Sequence, residues 1–232
     1  MALLGPFQQI APRVRGLAQS LRPSRRDPAR EPSGTCRKQV VEFVLIVALA
    51  LALAFAIQAW VVKPYKIPSL SMYPTLEKGQ RVLVDRIGND FFAPSVGDIV
   101  VFHPPADAPN EVCGDQPGPG QACDDPTKAR SSENYIKRLV GGPGDMITIV
   151  DGLVYRNGKK ERQSYASIAG CTPQALDCNY TKPIKILAGH YFMMGDNRGY
   201  SDDSRFWGPV PRSWIIGTAF FTYWPPDRLG FF

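Results

Sequence analysis

Histidine is nearly missing from this chain of 232 residues, which holds only His103 and His190. His103 precedes Pro104-Pro105 and His190 heads an apolar strand, so each sits where a structural histidine is more usual than the base of a Ser-His-Asp triad. The same scarcity disfavours zinc, as does the spacing of the five cysteines, none of which forms a CxxC pair. Also lacking are a GxSxG nucleophile elbow, an HExxH metal helix, a GxxxxGK[ST] phosphate loop and any internal repeat. Long helices are excluded from most of the chain by its 22 Pro and 21 Gly, which leaves strands and turns.

Charge is present, but in one place. The formal net charge is +6, and residues 1–38 carry Arg13, Arg15, Arg22, Arg25, Arg26, Arg30, Arg37 and Lys38 against Asp27 and Glu31, so this arm accounts for all of it. An Arg/Pro-rich arm without interleaved aromatics is a poor nucleic-acid footprint, and no nucleic-acid partner is expected. Beside the arm runs "VVEFVLIVALALALAFAIQAWVV", Val40 to Val62, with Glu42 as its only charge. At about 1.5 Å per helical residue the run reaches roughly 35 Å, enough to cross a hydrocarbon layer. It exceeds the apolar core of a cleaved signal peptide, and no polar stretch follows its alanines, so residues 39–62 read as an uncleaved anchor. The basic arm then faces the cytoplasm, and everything from Lys63 onward lies outside. Cysteine placement agrees: Cys113 and Cys123, and Cys171 and Cys178, each bracket a short polar loop that an oxidising compartment would let them close.

Beyond the anchor, alternation and β-branched residues predict strands at "GQRVLVDR", "GDIVVFHP", "YIKRLVGG", "DMITIVDGLVYRNGK", "HYFMMGD" and "IIGTAFFTYW", with a hairpin turn at Asn157-Gly158. Pro104 to Ser132 reads as a long loop, and Arg162 to Pro183 as a polar insertion. The expected architecture is mainly β: an antiparallel β domain over 63–232 with a smaller β subdomain at about 146–188, preceded by one transmembrane helix.

The stretch "IPSLSMYPTL", residues 67–76, sets Ser69 and Ser71 one residue apart between Pro68 and Pro74. Proline locks its own φ and restricts the residue before it, so this frame can hold a hydroxyl without helix or strand pairing. Taken alone it is a turn. Two further blocks change its meaning: "NYIKRLVGGPGD", residues 134–145, and "MGDNRGYSDDSRFWGPVP", residues 194–211. With three such blocks in this order after one anchor, the chain closely resembles the bacterial type I signal peptidases, membrane-bound Ser/Lys endopeptidases that remove signal peptides from exported proteins. The resemblance covers most of residues 38–232, including "GDIVVF" and "AFFTYWPPDRLGFF", but neither the arm nor the loop from Pro104 to Ser132.

That resemblance implies Ser71 as nucleophile, Lys137 as general base, and Ser69 as a hydroxyl donor to the oxyanion beside the Ser71 backbone N–H. It further implies that Ser201 orients the Lys137 amine, that Arg138 pairs with Asp196, and that Asp203 and Arg205 form a supporting ion pair, which if exposed would be worth little. Tyr65, Ile67, Pro68, Met72, Leu76, Val82, Tyr135 and Ile136 match the lining of a cleft that accepts an extended peptide with small side chains at the first and third positions before the cut. A lysine with an ordinary pKa is protonated at neutral pH and cannot take a proton, so Lys137 must be desolvated; Ile136, Leu139 and Val140 are the apolar walls expected. The implied partners are preproteins bearing signal peptides, the lipid bilayer and the protein-export machinery, with no cofactor. The implied location is the inner membrane, with the catalytic domain periplasmic. An apolar strip at Phe91-Phe92 or among the C-terminal aromatics would rest on lipid. Two departures stand out: Leu70 replaces the family's glycine between the serines, and Gly199-Tyr200 replaces Asp-Asn. A specialised processing peptidase of a conjugation or pilus system, or an inactive relative that binds signal peptides, are the alternatives.

Overall fold

The computed structural model describes residues 34–232, so the basic arm lies outside the described residues except near its end. Helix α1 (Gly34–Trp60) contains most of the apolar run, and its side chains from Arg37 to Ile57 are all exposed. Among the described residues it is the one helix long and apolar enough to cross a membrane.

The strands that follow are β1 (Val62–Lys66), β2 (Arg81–Asp85), β3 (Ile99–Phe102), β4 (Tyr135–Gly141), β5 (Met146–Val150), β6 (Leu153–Arg156), β7 (Lys159–Lys160), β8 (Tyr180–Lys185), β9 (His190–Met194), β10 (Val210–Pro211), β11 (Ile215–Trp224) and β12 (Gly230–Phe231). Two short helices, α2 (Ile87–Phe91) and α3 (Ser204–Trp207), interrupt them. The larger sheet runs β1-β2-β11-β3-β4-β9-β10 with β12 on β11, and every pairing is antiparallel. The smaller sheet, β7-β6-β5-β8, is likewise antiparallel and interrupts the larger one between β4 and β9.

Strand β3 explains the core. All four of its residues are buried, and because side chains alternate across a strand they feed two separate clusters. Ile99 and Val101 join Ile67, Met72, Leu76, Val82, Val84 and Ile136 on one side. Val100 and Phe102 join Leu139, Met193 and Trp207 on the other. A third cluster packs Ile147, Ile149, Val154 and Ile184 of the smaller sheet against Val140, Phe192 and Met194.

The six predicted stretches all carry strand. In the fourth, Asn157-Gly158 turns β6 into β7 with both φ positive, and a second such turn, Asp151-Gly152, divides β5 from β6 where the prediction placed no break. The insertion at 162–183 contributes the start of β8, a strand the sequence reading left out. Both expected cysteine pairs are disulfides, Cys113–Cys123 and Cys171–Cys178. The first pins the long loop, which is also tied to α3 where the Cys123 amide donates to the Arg205 carbonyl at 2.9 Å.

Candidate active site

The serine frame is anchored from beneath. Ile67, Met72 and Leu76 are buried in the core, which leaves Pro68, Ser69 and Leu70 exposed while Ser71 itself is buried. From the loop after β9, Asn197 grips the frame twice: its backbone amide donates to the Ser71 carbonyl at 3.0 Å and its side-chain amide to the Leu70 carbonyl at 3.1 Å. Gly195 lies against the same carbonyl, and a methyl group on it would drive into the Ser71 carbonyl oxygen and the Ser201 hydroxyl. The Ser69 and Ser71 hydroxyls are 3.2 Å apart and share a hydrogen bond. Leu70 is not among the residues of positive φ and is 54% exposed, so leucine stands in the glycine position without backbone strain.

Lys137 reaches the same place from β4. Its register partner is Val100, and Leu139 follows on the same face; both are fully buried, so together they strip water from the lysine stem. Of the walls expected, Leu139 is in place, Ile136 belongs to the opposite face but lines the same cavity, and Val140 packs in the third cluster. Lys137 is 4% exposed, and among the described residues its amine makes no hydrogen bond or ion pair. Burial brings its pKa down to about 8, although Asp203, Asp202 and Asp196 pull upward and Arg205 pushes down with the burial. Ser71 and Lys137 line one cavity of about 620 Å³.

Behind this pair stand two buried forks. Arg138, on the face opposite Lys137, meets Asp196 through Nε at 2.8 Å and Nη2 at 2.7 Å, donates to the Gly97 carbonyl at 2.6 Å, and stacks 3.9 Å from the Tyr165 ring centre. Arg205 meets Asp203 through Nε at 2.7 Å and Nη2 at 3.0 Å, and also donates to the Ser201, Arg198 and Asp177 carbonyls at 2.8 Å each. Neither member of this second pair is exposed, so water does not weaken it as a surface pair would be weakened. Burial tends to raise the Asp203 pKa, but the Arg205 charge and its hydrogen bonds win and hold it below the usual carboxylate range.

The cavity brings together Tyr65, Ile67, Pro68, Ser69, Ser71, Tyr135, Ile136 and Lys137 from the sequence reading. Met72, Leu76 and Val82 are set back from it, fully buried in the core. The Ser201 hydroxyl is buried with no hydrogen-bond partner among the described residues, so its expected bond to the Lys137 amine is not made in this structure. Neither histidine lines the cavity; His103 Nδ1 bonds the Glu133 carbonyl at 2.9 Å and His190 Nδ1 the Ala188 carbonyl at 3.0 Å. Sequence reasoning missed Asn197, Gly195, Tyr200 and Asp202, although all four lie inside the "MGDNRGYSDDSRFWGPVP" block that carried the resemblance.

The arrangement can support nucleophilic attack on a polar bond: a hydroxyl held on a fixed backbone, an amine whose burial favours its neutral form, and a second hydroxyl alongside. The comparisons agree on the class, which is that of the peptidases. The model of the family described as signal peptidase, peptidase S26, matches residues 40–224. The chain is 36% identical over 192 residues to the probable signal peptidase I-1 of a Synechocystis species, covering 82% of this chain and 86% of that protein. To the signal peptidase I of Leptolyngbya laminosa it is 34% identical over 216 residues, covering 92% and 95%. To signal peptidase IB of Staphylococcus aureus it is 30% identical over 201 residues, covering 82% and 92%. The chain belongs to the signal peptidase family, peptidase S26.

Proposed function

We propose that this chain is a membrane-anchored serine endopeptidase that cuts signal peptides from exported preproteins, with Ser71 as nucleophile and Lys137 as general base. The observation that carries the reading is a buried lysine whose amine makes no hydrogen bond among the described residues, in the same cavity as Ser71, whose backbone carbonyl accepts from the Asn197 amide. Lys137 Nζ takes the proton from Ser71 Oγ as the oxygen bonds to the scissile carbonyl carbon. The carbonyl electron pair moves onto oxygen, where the Ser69 hydroxyl, released from Ser71, and the Ser71 N–H receive it. Collapse breaks the carbon–nitrogen bond, and the proton on Lys137 leaves with the new amine. A water then repeats the sequence: it gives its proton to Lys137, its oxygen displaces Ser71, and the proton returns to Ser71 Oγ.

Tyr65, Ile67, Pro68, Tyr135 and Ile136 crowd the cavity and favour small substrate side chains. Helix α1 holds the enzyme in the inner membrane, with the arm cytoplasmic and the β domain periplasmic. Phe91 and Phe92, 77% and 75% exposed, rest on lipid, and the export machinery delivers preproteins to the site. Ser71→Ala and Lys137→Ala, assayed as full-length protein on an Ala-x-Ala preprotein, each abolish cleavage while the melting transition persists. The wild-type rate rises about tenfold per pH unit to a plateau above about pH 8, where the amine is neutral. Turnover retained in either variant refutes the assignment.

A further inference from the structure

Three carboxylates act on the Lys137 amine, and they are not equivalent. Asp196 is held in a two-point fork by Arg138, and Asp203 in another by Arg205. Each of these charges is already answered by a guanidinium. Asp202 is different: it lines the cavity that holds Ser71 and Lys137, and its Oδ1 is buried with no hydrogen-bond partner among the described residues. It also lines a second, polar cavity of about 280 Å³ behind the first, so it stands in the wall between the two.

An unanswered carboxylate oxygen and an unanswered amine on one cavity are complementary. The amine is neutral in the resting base and becomes an ammonium once it takes a proton. An ammonium formed in a dry cavity is costly unless a negative charge meets it. Building on the Ser71/Lys137 reading, we propose that Asp202 is a positioning residue for Lys137: its carboxylate meets the ammonium formed as the serine is deprotonated and so strengthens the lysine as a base.

The buried Trp207 indole N–H, itself without a hydrogen-bond partner among the described residues, also acts on this carboxylate, and Lys137 is the cation that draws on it most. Glu111, on the second cavity, and Asp203 both repel it. Arg205 on that side is committed to Asp203 and to backbone carbonyls. Arg198 on the second cavity spends Nε and Nη1 on the Gly195 and Gly152 carbonyls and on Gln163; its Nη2 makes no hydrogen bond among the described residues, and the charges acting on it are Asp203, Asp196 and Arg205 with Tyr165, not Asp202. Lys66 and Glu133 also line the first cavity and form no ion pair among the described residues, and Tyr135 stays neutral because burial, then Asp202 and Glu133, push its pKa up. Asp202 itself has a pKa raised to about 6, by burial first, against the opposing pull of Lys137. It therefore carries its charge across the range in which Lys137 works.

The test is the pH–rate profile of full-length Asp202→Asn, which keeps shape and removes charge. With its ammonium unsupported, Lys137 becomes a weaker base that is free at lower pH. The acid limb moves down by about one pH unit and the plateau falls about three- to tenfold. Asp202→Glu keeps the limb near its wild-type position, which a purely structural role does not require. If the asparagine variant fails to fold, Asp202→Ser serves for the same comparison. A folded neutral variant with an unmoved limb, or with no turnover at any pH, overturns the proposal. Turnover by Lys137→Ala would instead sink the Ser/Lys reading beneath it, a separate result.

Discussion

Replacing Lys137 by methionine should make the protein more stable, because the desolvation that the proposed catalytic role requires of this lysine works against the fold. Its amine titrates at about 8 in the folded protein against an ordinary 10.5. The gap of about 2.5 units, at about 1.4 kcal/mol per unit, amounts to roughly 3–4 kcal/mol. Below pH 8 both folded and unfolded chains carry the proton, and the folded state bears the whole cost. Between about pH 8 and 10.5 the unfolded chain holds more protons than the folded one, so wild-type stability rises with pH and the cost fades. Methionine is of similar length and never ionises. The variant should therefore exceed wild type by about 3–4 kcal/mol at pH 6 to 7, a Tm gain of roughly 6 to 16 °C for a domain of this size, and the gain should vanish toward pH 10.5. Thermal melts of the full-length protein in detergent at pH 6, 7, 8, 9 and 10, followed by near-ultraviolet circular dichroism, measure it. An equal or lower Tm at pH 6, or a gain that ignores pH, refutes the claim that Lys137 is held in a desolvated site.

Two further outcomes test the scaffold of the site. Gly195→Ala pushes a methyl group against the Ser71 carbonyl and the Ser201 hydroxyl. A displacement of about 1 Å at a nucleophile costs on the order of 100-fold, so kcat/KM for a model preprotein should fall about that far while the Lys137 limb stays in place. Arg138→Ala strands a fully buried Asp196 charge and should destabilise the protein by about 3–5 kcal/mol in denaturant titration. Adding Asp196→Ala should recover part of that loss, and a purely additive double variant would show that the two side chains do not act as a pair.

Much of the fold could be read along the chain because its signals are local. The strands β2, β3, β4, β9 and β11 all fall within predicted stretches, and each has the β-branched or alternating residues that suit a pleated surface. Beside the two-residue strands β10 and β12, the sequence reading missed β1 and β8, which carry Pro64 and Pro183 among lysines. Both are edge strands, where proline costs little and burial imposes no alternation, so their pairing left no trace in the sequence. The candidate site divides in the same way. The Ser69-Leu70-Ser71 frame and the "YIKRLV" strand were recognisable as blocks, yet three cleft residues chosen by resemblance, Met72, Leu76 and Val82, lie in the core instead.

Residue order alone determined the long apolar run, the alternating strand faces and the two cysteine loops, and the pairing of Ser71 with Lys137 was an expectation carried by the family resemblance. Tertiary structure alone decided that Lys137 is dry, because Val100 on a neighbouring strand and Leu139 cover it. It also decided that Arg138 finds Asp196 58 residues away, and that Asp202 lines the same cavity as Lys137 with one oxygen lacking a hydrogen bond among the described residues. Desolvation and charge pairing depend on groups far apart in the chain that meet only when the sheets close. Side-chain alternation depends on nearest neighbours and is written locally.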